Sequence, residues 1–163
     1  MTKESDASVG MALLRAKKSG LVARVKGLWV NMVDKPELEE VALELRSPSY
    51  ISFESALYRH GILSQSPRGL LSLATTLKPD KITTSLGDLQ FTHLSPKLFF
   101  GFDSNRLATP EKAFLDLIYI KIRRGTLETS EVFYLDLLNK RKLLLLAGKF
   151  PSYVKKEILR KIR

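Results

Sequence analysis

The chain has 163 residues, 44% of them apolar and 27% charged, with 27 Lys and Arg against 17 Asp and Glu for a formal net charge of +10. That size and balance suit a buried core with a smaller module attached, and exclude a disordered or fibrous chain. A sequence without cysteine has no disulfide framework, no thiolate zinc site and no cysteine nucleophile, and is compatible with a reducing cytosol. No apolar run approaches the roughly 18 to 20 residues that span a bilayer, and Met1 to Gly10 lacks the apolar stretch of a signal peptide. The expectation is a cytoplasmic protein with no membrane partner.

A field of this sign attracts polyanions, nucleic acid most commonly. The positive charge sits at the two ends. Lys3, Arg15, Lys17, Lys18, Arg24 and Lys26 face only Glu4 and Asp6 in residues 1–31. From Lys140 onward Arg141, Lys142, Lys149, Lys155, Lys156, Arg160, Lys161 and Arg163 face Glu157 alone.

Ser5 or Asp6 can cap a first helix whose apolar positions Val9, Leu13 and Ala16 recur at helical spacing, with Gly20 as its stop. Leu21 to Val25 and Leu28 to Val30 are β-prone, and Lys26 and Gly27 between them predict a tight hairpin with a charged tip. A boundary is expected near Met32 to Lys35, with Pro36 as the first residue of a helix carrying Leu38, Val41, Ala42 and Leu45. Ser47, Pro48 and Ser49 stop that helix, and Ser52 caps the next, in which Phe53, Ala56 and Leu57 face inward before Gly61.

Strands follow at Leu70 to Thr76, Lys81 to Ser85 and Leu89 to Leu94, with Leu86 to Asp88 as a turn and two of the strands in an antiparallel hairpin. Lys97 to Phe102 and Arg106 to Ala108 could add short strands. Thr109, Pro110 and Glu111 mark a strong helix start, Ala113, Phe114, Leu117, Ile118 and Lys121 lie along one side of that helix, and Gly125 ends it. The tail reads as helices over Ser130 to Asn139, Arg141 to Ala147 and Pro151 to Arg163, with Leu143 to Leu146 buried. The expected fold is α+β: a partial winged-helix module over 1–34, then a domain over 35–163 with a mainly antiparallel sheet and a helical carboxy-terminal segment.

No catalytic constellation emerges from spacing. His60 and His93 belong to no metal-ligating pattern, and read as a helix-end and a strand residue. Asp88, Asp103, Asp116 and Asp136 are isolated along the chain, and Gly101, Asp103 and Ser104 read as a structural turn. No cofactor, metal or small-molecule substrate is expected. A small nuclease or nucleotidyltransferase would need Asp88, Asp103 or Asp116 to assemble from a distance.

The first helix and hairpin follow the order of a winged-helix module, in which a helix enters the major groove and the wing touches the backbone. Arg15, Lys17, Lys18, Arg24 and Lys26 are the residue types that neutralise phosphates there, and Ser8, Met11 or Arg15 would face base edges. A full winged helix has two helices ahead of its recognition helix, and the stretch before Val9 is too short for them. Leu13, Leu14, Leu21, Leu28 and Trp29 must then bury against other parts or remain exposed.

The segment Tyr50-Ile-Ser-Phe-Glu-Ser-Ala-Leu-Tyr-Arg-His-Gly61, the strand end Phe91-Thr-His-Leu94, the run Lys97-Leu-Phe-Phe-Gly-Phe102 and Leu107-Ala-Thr-Pro-Glu-Lys-Ala-Phe-Leu-Asp-Leu117 together resemble the AbiEi family of type IV antitoxins. The resemblance implies a winged-helix domain that binds the operator DNA of its own operon and a carboxy-terminal domain that counteracts a nucleotidyltransferase-type toxin, neither of them an enzyme. It also implies that residues 15 to 22 and 26 to 30 are the recognition-helix end and wing. The alternative is an interaction-only or RNA-binding regulator that uses Lys140, Arg141, Lys142, Lys155, Lys156, Arg160 and Lys161.

Overall fold

The computed structural model describes residues 3–34, 36–65, 67, 69–127 and 132–162. The class is α+β, and the chain divides into two units, Met1–Ser47 and Pro48–Arg163.

The first unit holds α1 (Lys3–Lys18), β1 (Val22–Val25), β2 (Leu28–Asn31) and α2 (Leu38–Leu45). Helix α1 already runs through Ser5 and Asp6, so neither stands at its start as the pattern predicts. Gly20 ends it in the left-handed region, and Leu21 N–H closes the last turn on the Ala16 carbonyl at 2.9 Å. The predicted hairpin is present, antiparallel, with Val25 opposite Leu28 and only Lys26 and Gly27 between them. Both turn residues have positive φ, 45° and 95°, the mirror-image turn that matches strand twist and that glycine adopts without Cβ strain. Helix α2 begins at Leu38 with Glu37 at its cap, so Pro36 lies ahead of the helix rather than at its first position. The division falls after Ser47, which puts α2 in the first unit; the sequence pattern places the boundary between residues 34 and 35.

The second unit runs β3 (Ser49–Ile51), α3 (Phe53–Arg59), β4 (Leu70–Thr75), β5 (Asp80–Thr84), β6 (Gly87–His93), α4 (Pro110–Arg124), α5 (Lys140–Ala147) and α6 (Ser152–Lys161). The sheet order is β3-β4-β6-β5. The expected hairpin is β5–β6, turning through Ser85 and Leu86, so Gly87 and Asp88 are strand rather than turn. Both outer pairings are antiparallel, whereas β4 and β6 pair in parallel with Ser72 opposite Gln90. β3 is absent from the sequence expectation because its three residues are all buried and too short to alternate. The strands expected at Lys97 to Phe102 and Arg106 to Ala108 reduce to a 3₁₀ turn at Pro96–Leu98 and single bridging pairs, Phe102 with Ala108 and Ile51 with Leu107.

Helix α4 is the axis of this unit. Its residues Glu111 to Lys121 are buried on all sides, not one, because α3, α5 and α6 pack around it. Thr109 and Pro110 stand at its start as expected, yet the Thr109 hydroxyl does not cap the helix and is buried without a partner among the described residues. Gly125 ends it with φ of 67°.

In the tail, the helix expected from Ser130 to Asn139 is a single 3₁₀ turn at Leu135–Leu137 over the described part. Ser130, Lys35 and Arg163, where other expected boundaries fall, lie outside the described residues. Leu143 is fully buried but Leu145 is 74% exposed, so Leu143 to Leu146 is not buried as a block. Among the described residues no helix is long and apolar enough to cross a membrane.

Candidate nucleic-acid interface

Arg15, Lys17 and Lys18 form the last turn of α1, and all three are exposed. Cations suit that position in any helix, because the carbonyl end of the macrodipole is negative. The hairpin adds Arg24 and Lys26, both exposed. Arg24 lies opposite Trp29 in the strand register, with its guanidinium 5.4 Å from the indole centroid, which holds the side chain against β2. Between Asp6 and Asp34 the sequence has no acidic residue. Ser8 and Met11 are exposed on the same helix, while Val9, Leu14 and Leu21 are half-exposed apolar residues.

The seven cations of the carboxy-terminal set fall into two groups. Lys142 is committed inward, its Nζ 2.8 Å from the buried Glu111 carboxylate, which also accepts the Asn139 N–H at 3.2 Å. Burial works to raise the Glu111 pKa, but the Lys142 hydrogen bond, the backbone N–H groups and the Lys142 charge outweigh it and leave the group below its ordinary value. Arg160 and Lys161 turn to Glu157 at 2.9 and 3.7 Å, and Lys140 donates to the Ile162 carbonyl at 3.5 Å. Arg141, Lys155 and Lys156 are exposed, with no such partner among the described residues.

A buried polar cluster escapes the sequence expectation. Asp116, fully enclosed, accepts from the Lys112 ammonium one turn earlier, from the Tyr50 hydroxyl at 2.8 Å and from the Ser52 hydroxyl at 2.8 Å. Lys112 also donates to the Tyr50 oxygen at 2.8 Å, and its Nζ lies 4.9 Å and 5.2 Å from the Phe100 and Phe150 ring centroids. Ser52 therefore does not cap α3 with its side chain, as its position predicts; its hydroxyl is spent on Asp116. Burial pushes the Tyr50 hydroxyl pKa up, reinforced by the Asp116 charge. Burial also lowers the Lys112 pKa and raises that of Asp116, each opposed by the charge of the other. Lys112 and Asp116 are four residues apart amid Ala113, Phe114, Leu115, Leu117 and Ile118. A charged pair inside such an apolar run must be buried together, and that spacing is the signal that could have found it.

The turn around Gly101 has the structural role its sequence predicts. Gly101 has φ of 78°, and a Cβ there would stand 3.0 Å from the Lys112 side chain. Asp103 accepts the Leu107 N–H at 2.9 Å. His60 ends α3 with Nε2 2.8 Å from the Ala108 carbonyl, and His93 in β6 has Nδ1 3.0 Å from that of Leu77. Asp88 lies 3.6 Å from Lys81 across the β5–β6 pair. Among the described residues no group of three or more His, Asp or Glu side chains is placed to hold a metal ion.

The fold and the surface together define an α+β protein of two units, the first with an exposed basic helix end and hairpin, the second with a charged cluster at its core. Comparison of the chain with protein-family models, with curated proteins and with solved structures finds no match.

Proposed function

We propose that the chain is a non-catalytic regulator of the antitoxin kind, whose first unit binds operator DNA and whose second unit counteracts a nucleotidyltransferase-type toxin. One observation carries the DNA half: Arg15, Lys17 and Lys18 at the end of α1, followed at once by a hairpin bearing Arg24 and Lys26, with no acidic side chain between Asp6 and Asp34. Helix end and wing present cations in the order that a winged helix offers to a groove and its flanking phosphates. The toxin half rests on the resemblance of residues 50–117 to type IV antitoxins.

The test is fluorescence anisotropy with a duplex from upstream of the gene and an unrelated duplex of equal length. Selective binding, weakened by a double Arg15→Ala and Lys18→Ala change, is the expected result. Equal weak binding to both duplexes would remove the repressor role. In a second reading the exposed Arg141, Lys155 and Lys156 contact RNA or a protein partner. It predicts that toxin neutralisation in cells survives the double change at Arg15 and Lys18 but not Lys155→Ala with Lys156→Ala.

A further inference from the structure

A cleft of about 360 Å³ in the second unit is lined by the β4–β6 face of the sheet and by the carboxy-terminal half of α4. Residues two apart on a strand share a face, and the parallel register sets Ser72 opposite Gln90 and Ala74 opposite Thr92. Ser72, Gln90 and Thr92 thus make a polar strip along one wall of the cleft. Ser72 and Thr92 are only 5% and 7% exposed, yet none of the three side chains has a hydrogen-bond partner among the described residues.

The polar atoms of these three side chains are not sealed in the core but open to the cleft, so they can bond whatever occupies it. From α4 the cleft receives Leu117, Ile120, Lys121 and Arg124, and from α3 Phe53 and Glu54, of which Glu54 and Lys121 each have partners already. Arg124 is exposed, pairs with no described residue, and also lines an adjoining cleft of about 330 Å³ with Arg123 and His93. Cations therefore gather where the two clefts share Thr92, Ile120 and Arg124.

The chemistry of the two parts differs. A guanidinium fork matches the oxygens of a phosphate. An amide and two hydroxyls each donate and accept, which suits the edge of a heterocyclic ring. Leu117, Ile120 and Phe53 supply the apolar surface that ligand sites of roughly 300 to 1,000 Å³ use for the body of the molecule. We propose that this cleft binds a small phosphate ester carrying a hydrogen-bonding ring, of mononucleotide size, with the phosphate at Arg124 and the ring edge on Ser72, Gln90 and Thr92. The site is independent of DNA binding by the first unit and gives the second unit a ligand of its own.

Titration calorimetry on the full chain tests it, with uridine and adenosine 5′-monophosphates as probes and inorganic phosphate and uridine as their halves. At least one nucleotide is expected to bind, more tightly than either half. Arg124→Ala, at an exposed position that packing does not need, weakens that binding by about tenfold or more. Gln90→Leu with Thr92→Val does the same through the ring, while Arg15→Ala with Lys18→Ala leaves it unchanged. The proposal is overturned if neither nucleotide binds, as a merely water-filled cleft requires, or if binding survives Arg124→Ala. Loss of binding in the Arg15 and Lys18 variant overturns it too, since the anion then sits on the first unit. Inorganic phosphate binding as tightly as the nucleotides would dismiss the ring.

Discussion

Asp116 holds three partners with one carboxylate: Lys112 in its own helix, and Tyr50 and Ser52 from β3 and the residue after it. A buried ion pair adds little over a well-packed apolar substitute, but breaking one leaves an uncompensated charge. Asp116→Asn is expected to cost about 3–5 kcal/mol in urea unfolding, and the double change Lys112→Met with Asp116→Leu much less than that. If the single and double variants lose equal stability, the cluster acts through shape and not charge. Glu111 offers a second test at the same scale. Its folded pKa is lowered, so the stability it contributes is complete above the ordinary carboxylate range and is lost as pH falls through the depressed value. Glu111→Gln should therefore flatten the acid limb of the stability profile between its ordinary value of 4.5 and the lower folded one, and an unchanged limb would mean that the Lys142 pairing is spent before unfolding begins.

Helix α5 separates burial from mere apolarity. Leu143 is wholly enclosed and Leu145, two residues on, is 74% exposed. Leu143→Ala should cost about 2–5 kcal/mol, a transfer and cavity penalty, whereas Leu145→Ala should stay within about 0.5 kcal/mol. Thermal unfolding of the two variants measures the contrast, and equal losses would place Leu145 in a contact outside this chain. The elements divide in the same way over what a sequence discloses. Gly20, Gly61 and Gly125 end helices where they stand, and Lys26-Gly27 makes the turn, because those conformations depend on the residue itself and its near neighbours. β3 and the parallel β4–β6 pairing depend on partners far along the chain, and no local pattern encodes them. The same limit applies to the sites. The basic helix end and hairpin are local and legible; the strip Ser72, Gln90, Thr92 exists only once two strands are laid in register.

Over the whole molecule, a net charge of +10 means that some affinity for any polyanion is present irrespective of a specific site. What separates the interface from this background is how salt acts on it. Each cation that contacts a phosphate contributes close to one unit to the slope of log affinity against log salt. Arg15→Ala with Lys18→Ala should lower the slope on upstream duplex by about two, and Lys155→Ala with Lys156→Ala should leave it in place. The opposite pattern would move the contact to the carboxy-terminal helices.

The strand order of the second unit also has a history in time. β4 emerges from the ribosome with β3 already made, and can pair along that edge at once. Its other edge must wait for β6, which comes only after β5 has been synthesised and the hairpin has turned at Ser85 and Leu86. The central parallel pairing is thus the last of the sheet to close, and a nascent chain paused between β5 and β6 shows one open edge of the apolar β4 to whatever is near. Such a chain is the form that a chaperone guarding synthesis would meet.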